Sequence, residues 1–186
     1  MADQLSWVQC VNEVASNGGI SAGFNSGSQV SIFGTAGSTM ASGVYTFPGN
    51  FFLNPGQRFR IKWDGAVAAI SGTSVTIFTV WNSTSVNMNG WTGINTGGNP
   101  YFARIEIFGI WQATGTATNS LLQWTARYQL MNGTASTSTA AATLYTNSST
   151  AIDTTTAEKL DFQIQFSSTS IHNTFISTAY TLEVLV

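Results

Sequence analysis

Apolar and polar residues alternate one by one along much of this chain, and that period of two restricts it to half-buried β-strands. Leu160, Phe162, Ile164 and Phe166 share one side, and Lys159, Asp161, Gln163 and Gln165 the other. Phe59, Ile61 and Trp63 oppose Arg58, Arg60 and Lys62 in the same way. Leu122, Trp124, Ala126, Tyr128 and Leu130 oppose Gln123, Thr125, Arg127 and Gln129. Further strands are predicted over 29–33, 42–47, 74–81, 101–112, 140–146 and 173–185, rich in the β-branched and aromatic side chains that fit a pleated surface.

Turn residues punctuate these runs at Asn54-Pro55-Gly56, Asp64-Gly65, Gly97-Gly98-Asn99-Pro100, Thr114-Gly115-Thr116 and Asn132-Gly133. Eight or nine short strands with polar turns predict an all-β fold, an antiparallel jelly-roll sandwich. Residues 1–27 show little alternation and hold Asn17-Gly18-Gly19, so they read as an N-terminal arm preceding a jelly-roll domain over 28–186. Within the arm, Leu5, Val8 and Val11 have a rough helical spacing over Gln4 to Ala15, although Trp7, Val8 and Val11 also suit an extended segment. Leu5, Trp7, Val8 and Phe24 are apolar enough to be its contact residues.

Composition narrows the function. Six Lys and Arg against eight Asp and Glu leave a net charge of −2, and only 8% of residues are charged. Non-specific nucleic-acid binding needs clustered cations, which this balance does not favour. The N-terminal Met1-Ala2-Asp3-Gln4 lacks a signal-peptide pattern, and no apolar stretch reaches membrane-helix length, so neither export nor a membrane partner is expected. A surface of Ser, Thr, Asn and Gln carries few ions that must be stripped of water, which favours close packing against other proteins.

Chemistry-bearing residues are sparse. One histidine, His172, and one cysteine, Cys10, cannot supply a multi-residue transition-metal site. His172 lies between two predicted strands, where an exposed loop position is expected. Glu106 stands two residues from Arg104, and Asp161 two from Lys159, as weak ion pairs on polar strand faces do. No catalytic, cofactor or metal residue is therefore expected. The sharpest charge feature is Arg58, Arg60 and Lys62, half of all basic residues on one face of one strand. Either a neighbouring strand's acid balances them or they form a docking stripe for an acidic partner. Trp91, in Asn87-Met88-Asn89-Gly90-Trp91-Thr92-Gly93, is the candidate exposed aromatic, suited to a sugar ring or a subunit contact.

The order of motifs resembles a jelly-roll module of tailed-bacteriophage structural proteins: head-decoration (cement) proteins and fibre components. It runs from Gly43-Val44-Tyr45-Thr46-Phe47-Pro48 through Phe52-Leu53-Asn54-Pro55-Gly56-Gln57-Arg58-Phe59-Arg60-Ile61-Lys62 to Tyr101-Phe102-Ala103-Arg104-Ile105-Glu106-Ile107. It closes with Asp153-Thr154-Thr155, Leu160-Asp161-Phe162-Gln163-Ile164-Gln165-Phe166, Asn173-Thr174-Phe175 and Leu182-Glu183-Val184. The resemblance covers roughly residues 40–186. It implies a homotrimer on the capsid surface, made in the host cytoplasm, that stabilises contacts between major capsid protein subunits and has no catalytic residue. Two other readings stay open: a fibre or spike module binding host carbohydrate through Trp91 or Trp81, and a coat protein, against which the lack of a basic genome-facing arm counts.

Overall fold

The computed structural model describes residues 8–22, 27–32, 45–70, 72–131, 143–149 and 152–185, with 8–22 and 143–149 described by their backbone. The protein is an all-β antiparallel sandwich of the jelly-roll kind, with eleven strands among the described residues. They are β1 (Val8–Ala22), β2 (Val30–Ser31), β3 (Tyr45–Phe47), β4 (Arg58–Ala68), β5 (Thr73–Trp81), β6 (Thr84–Ile94), β7 (Tyr101–Ala113), β8 (Leu121–Met131), β9 (Thr143–Ser149), β10 (Glu158–Phe166) and β11 (Thr174–Leu185). One six-stranded sheet has the order β1-β11-β4-β7-β8-β9. The five-stranded sheet has the order β2-β10-β5-β6, with β3 also pairing β10.

The alternating runs bury the parity expected of them. From the six-stranded sheet, Phe59, Ile61, Trp63, Ile105, Ile107, Trp111, Leu122, Trp124, Phe175 and Leu182 point inward; Ile77, Trp81, Leu160, Phe162, Ile164 and Phe166 meet them from the other sheet. Rings lock one end of this core: Trp81 packs on Trp111 at 5.7 Å and on Phe59 at 5.3 Å, and Phe52 on Trp111 at 5.3 Å. Such rings are large buried surfaces, and their edge-to-face contacts add to the burial itself.

Three expectations are corrected. Within the arm read over 1–27, Val8–Ala22 is neither helix nor free segment but a strand in register with β11, from Val8 opposite Leu185 to Ala22 opposite Phe175. Two register shifts, at Cys10/Asn12 and Ala15/Ile20, break the period along β1, and a bulge reverses which side chains share a face. Leu5, Trp7 and Phe24 lie outside the described residues.

Second, Asp64-Gly65 is no turn, because β4 runs through it to Ala68. The glycine is there for space: a Cβ on Gly65 would stand 2.1 Å from the Ile176 carbonyl oxygen and 2.3 Å from the Trp63 ring. That ring stacks on Phe175 at 4.3 Å, and its indole N–H donates to Ser177 Oγ at 2.8 Å. Third, residues 87–93 are not a loop but part of β6, whose pairing with β5 slips twice. Asn89 with φ 63° and Gly93 with φ 63° take the left-handed conformations of this irregular edge.

Candidate interaction face

Charge gathers on one surface, the outer face of the six-stranded sheet. Inward parity of Phe59, Ile61 and Trp63 forces Arg58, Arg60, Lys62 and Asp64 outward on β4. Register then sets the neighbours. Lys62 lies opposite Glu106 of β7, and Glu106 opposite Arg127 of β8. Asp64 lies opposite Arg104, and Arg60 opposite both Phe108 of β7 and Glu183 of β11. Five of the six basic residues of the chain stand on the four central strands β11, β4, β7 and β8, against the acids Asp64, Glu106 and Glu183, which leaves these strands at +2.

The predicted stripe is partly neutralised within the sheet. Glu183 accepts hydrogen bonds from the Arg60 guanidinium, through Nε at 2.7 Å, and from Lys62 Nζ at 3.2 Å. Burial works to raise the Glu183 carboxyl, but the bonds and charges of Arg60 and Lys62 outweigh it and hold the group below its ordinary range. Arg104 grips Asp64 from Nε at 2.6 Å and from its terminal nitrogen at 3.3 Å. That hydrogen bond, then the Asp64 charge, raises the affinity of Arg104 for its proton. Arg58 and Arg127 are exposed and form no ion pair among the described residues.

Aromatic rings sit among these charges. Phe102 and Phe108, outward on β7, are 42% and 45% exposed. The guanidinium of Arg104 lies 5.9 Å from the Phe102 ring, and that of Arg60 lies 5.8 Å from the Phe108 ring, both within cation–π range. Two hollows, of about 230 and about 340 Å³, are both bounded by Arg58 and Phe108. The outward parity of Arg104, Glu106 and Arg127 was readable in the sequence; that their strands flank β4 was not.

The other candidates fall elsewhere. Trp91, expected to be exposed, is 5% exposed. Its ring packs edge-to-face on Tyr128 at 5.5 Å, because the β6 bulges turn it into the core, where the Tyr128 hydroxyl donates to the Met88 carbonyl. Trp81 is buried as well, so neither tryptophan offers a face to a sugar. His172 is exposed in the turn before β11. Among the described residues no three His, Cys, Asp or Glu side chains group to hold a metal ion. No helix there is long and apolar enough to cross a membrane.

No protein-family model matches the chain, and no curated protein matches it. Similar solved structures include three lectins or lectin-like proteins. Arcelin-5, a lectin-like defence protein from Phaseolus vulgaris, is 12% identical, covering 99% of this chain and 94% of that one with a TM-score of 0.41. Peanut lectin with a nine-residue peptide is 12% identical over 100% and 95%, with a TM-score of 0.36. Lectin I from Ulex europaeus, in complex with the methyl glycoside of α-L-fucose, is 10% identical over 98% of each chain, with a TM-score of 0.39.

Proposed function

We propose that this chain is a non-catalytic virion structural protein, a head-decoration (cement) protein that forms homotrimers on a bacteriophage capsid and stabilises contacts between major capsid protein subunits. The observation that carries this reading is the motif order. The strand segments of the phage-like series fall in order along one sandwich: Tyr45–Phe47 is β3, Arg58–Ala68 β4, Tyr101–Ala113 β7, Glu158–Phe166 β10 and Thr174–Leu185 β11. The Asp153-Thr154-Thr155 segment is a built turn: Asp153 Oδ1 accepts the Thr155 backbone N–H at 2.9 Å, and Thr154 donates its backbone N–H to the Gly115 carbonyl at 2.9 Å. This segment thus has a structural task, tying the chain before β10 to the turn at 114–116. Binding to the assembled shell but not to free subunits would stabilise the shell by mass action.

The test is a mass and a location. Light scattering of the purified chain gives a trimer on this reading, and electron microscopy of particles containing it gives density on the head at threefold positions. A monomer at micromolar concentration, or density at the tail alone, overturns it.

A further inference from the structure

We infer that the outer face of β11, β4, β7 and β8 is a docking face for an acidic protein surface, with Phe108 as its anchor and Arg58 and Arg127, which form no ion pair among the described residues, as its cations. For the partner this rests on the virion reading, in which the acidic surface belongs to the capsid shell.

Three observations converge. The first is charge. These four strands carry +2 while the rest of the chain, with Lys159 against Asp3, Glu13, Asp153, Glu158 and Asp161, carries −4. A chain with 8% charged residues has concentrated its cations on one surface. Arg60, Lys62 and Arg104 are held by acids of the same sheet, so their geometry is fixed in advance; Arg58 and Arg127 retain donors for an incoming carboxylate.

The second is the pairing of ring and guanidinium. Phe108 and Phe102 are half-exposed on a strand whose other parity is buried from Ala103 to Trp111. Arginine and aromatic residues are the types that anchor protein interfaces. Phe108 stands between the two hollows, each of which can receive a side chain beside Arg58. The third is size. Four strands about 4.8 Å apart and about 11 residues long present about 700 Å², close to the roughly 800 Å² that each partner buries in a stable interface.

The test is co-sedimentation of the full chain with purified, assembled heads, with a melt and light scattering for every variant. Arg58→Gln with Arg127→Gln removes two cations that pair with no described residue, so the fold and oligomer stay intact. Occupancy of heads falls on the order of tenfold, and Phe108→Ser falls at least as far. Lys159→Gln, an exposed cation outside the face, binds as wild type does. Raising salt from about 50 mM to about 300 mM weakens wild type more than the double variant.

Wild-type chain that does not bind heads overturns the virion reading and this face with it. Wild-type binding matched by both the double variant and Phe108→Ser overturns the docking face and leaves the virion reading standing. Variants that fall apart to monomers while wild type does not show that a second copy occupies the face, which also overturns the inference.

Discussion

The two sheets share one core and differ in what they turn outward. The six-stranded sheet shows ions and rings: Arg58, Arg60, Lys62, Arg104, Glu106 and Arg127 around Phe102 and Phe108. The five-stranded sheet shows mostly neutral hydrogen-bonding groups, Ser74 and Thr76 on β5 with Gln163 and Gln165 on β10. Its one central acid, Asp161, is satisfied locally, accepting from Ser31 Oγ at 2.7 Å and Gln163 Nε2 at 2.7 Å. Gln165 Nε2 donates to the Gly27 carbonyl at 2.6 Å. The neutral face thus spends its polar groups on tying down neighbouring chain, while the charged face keeps two cations and two rings without such a duty.

The hardest way to break this comparison is to strip the charged sheet of its edge. Deleting residues 1–22 removes β1 and uncovers β11, the strand that carries Glu183. An uncovered strand loses a ladder of backbone hydrogen bonds and offers itself to other chains. The expected result is a loss of at least about 3 kcal/mol in urea unfolding, with concentration-dependent aggregation. An unchanged midpoint would mean that β1 is an appendage to the sheet after all.

How much of this was legible beforehand follows the same physics. Where apolar and polar residues alternate without a slip, as in β4, β8 and β10, the sequence shows both the strand and its buried face, since side-chain direction has a period of two. The strands hidden from it are β1 and β6, and both carry two register shifts. A slip turns Trp91 from the polar side to the core, so a ring among Asn and Gly reads as exposed when it is not. Asp64-Gly65 is deceptive for a different reason: the glycine answers the Ile176 carbonyl across the sheet and the folded-over ring of Trp63 on its own strand, and only the fold brings both against it. Arg58, Arg60 and Lys62 were visible as a stripe. Glu183, which pairs with two of them, lies more than a hundred residues away and joins them through strand order alone.

A finer test separates the sheets by their acids. Glu183→Gln leaves Arg60 and Lys62 side by side without their shared carboxylate. The expected loss at neutral pH is about 1 kcal/mol, kept small because the pair is partly open to solvent. The folded state holds this carboxyl below its reference value of 4.5, so its stabilisation is present above that value and fades as pH falls through the lower folded value. Denaturant midpoints measured down the acid limb should therefore fall less steeply for the variant. Parallel curves for variant and wild type would show that Glu183 contributes nothing to the charged sheet.

The five-stranded sheet carries the opposite case in Glu158, the first residue of β10. It is 6% exposed, and its Oε2 has no hydrogen-bond partner among the described residues. Burial, then the charge of Asp153, raises its carboxyl above the reference value of 4.5. For an acid raised in the folded state the sign reverses: ionisation is harder folded than unfolded, so stability declines as pH climbs from 4.5 through the folded value. Glu158→Gln removes the buried charge and keeps the shape. Hydrogen bonds from Asn82 and the Asp153 backbone offset burial only in part and Oε2 stays unpartnered, so we expect the variant to stabilise the chain at neutral pH by about 0.5–1 kcal/mol, an amide being less costly than a carboxylate to bury. The gain should shrink toward zero on acidification, as wild-type Glu158 takes up its proton and becomes neutral too. Chemical unfolding at neutral and mildly acid pH reads both limbs. A Gln variant less stable than wild type at neutral pH would show that the hydrogen bonds from Asn82 and the Asp153 backbone outweigh burial, and the contrast between the two acids would fail.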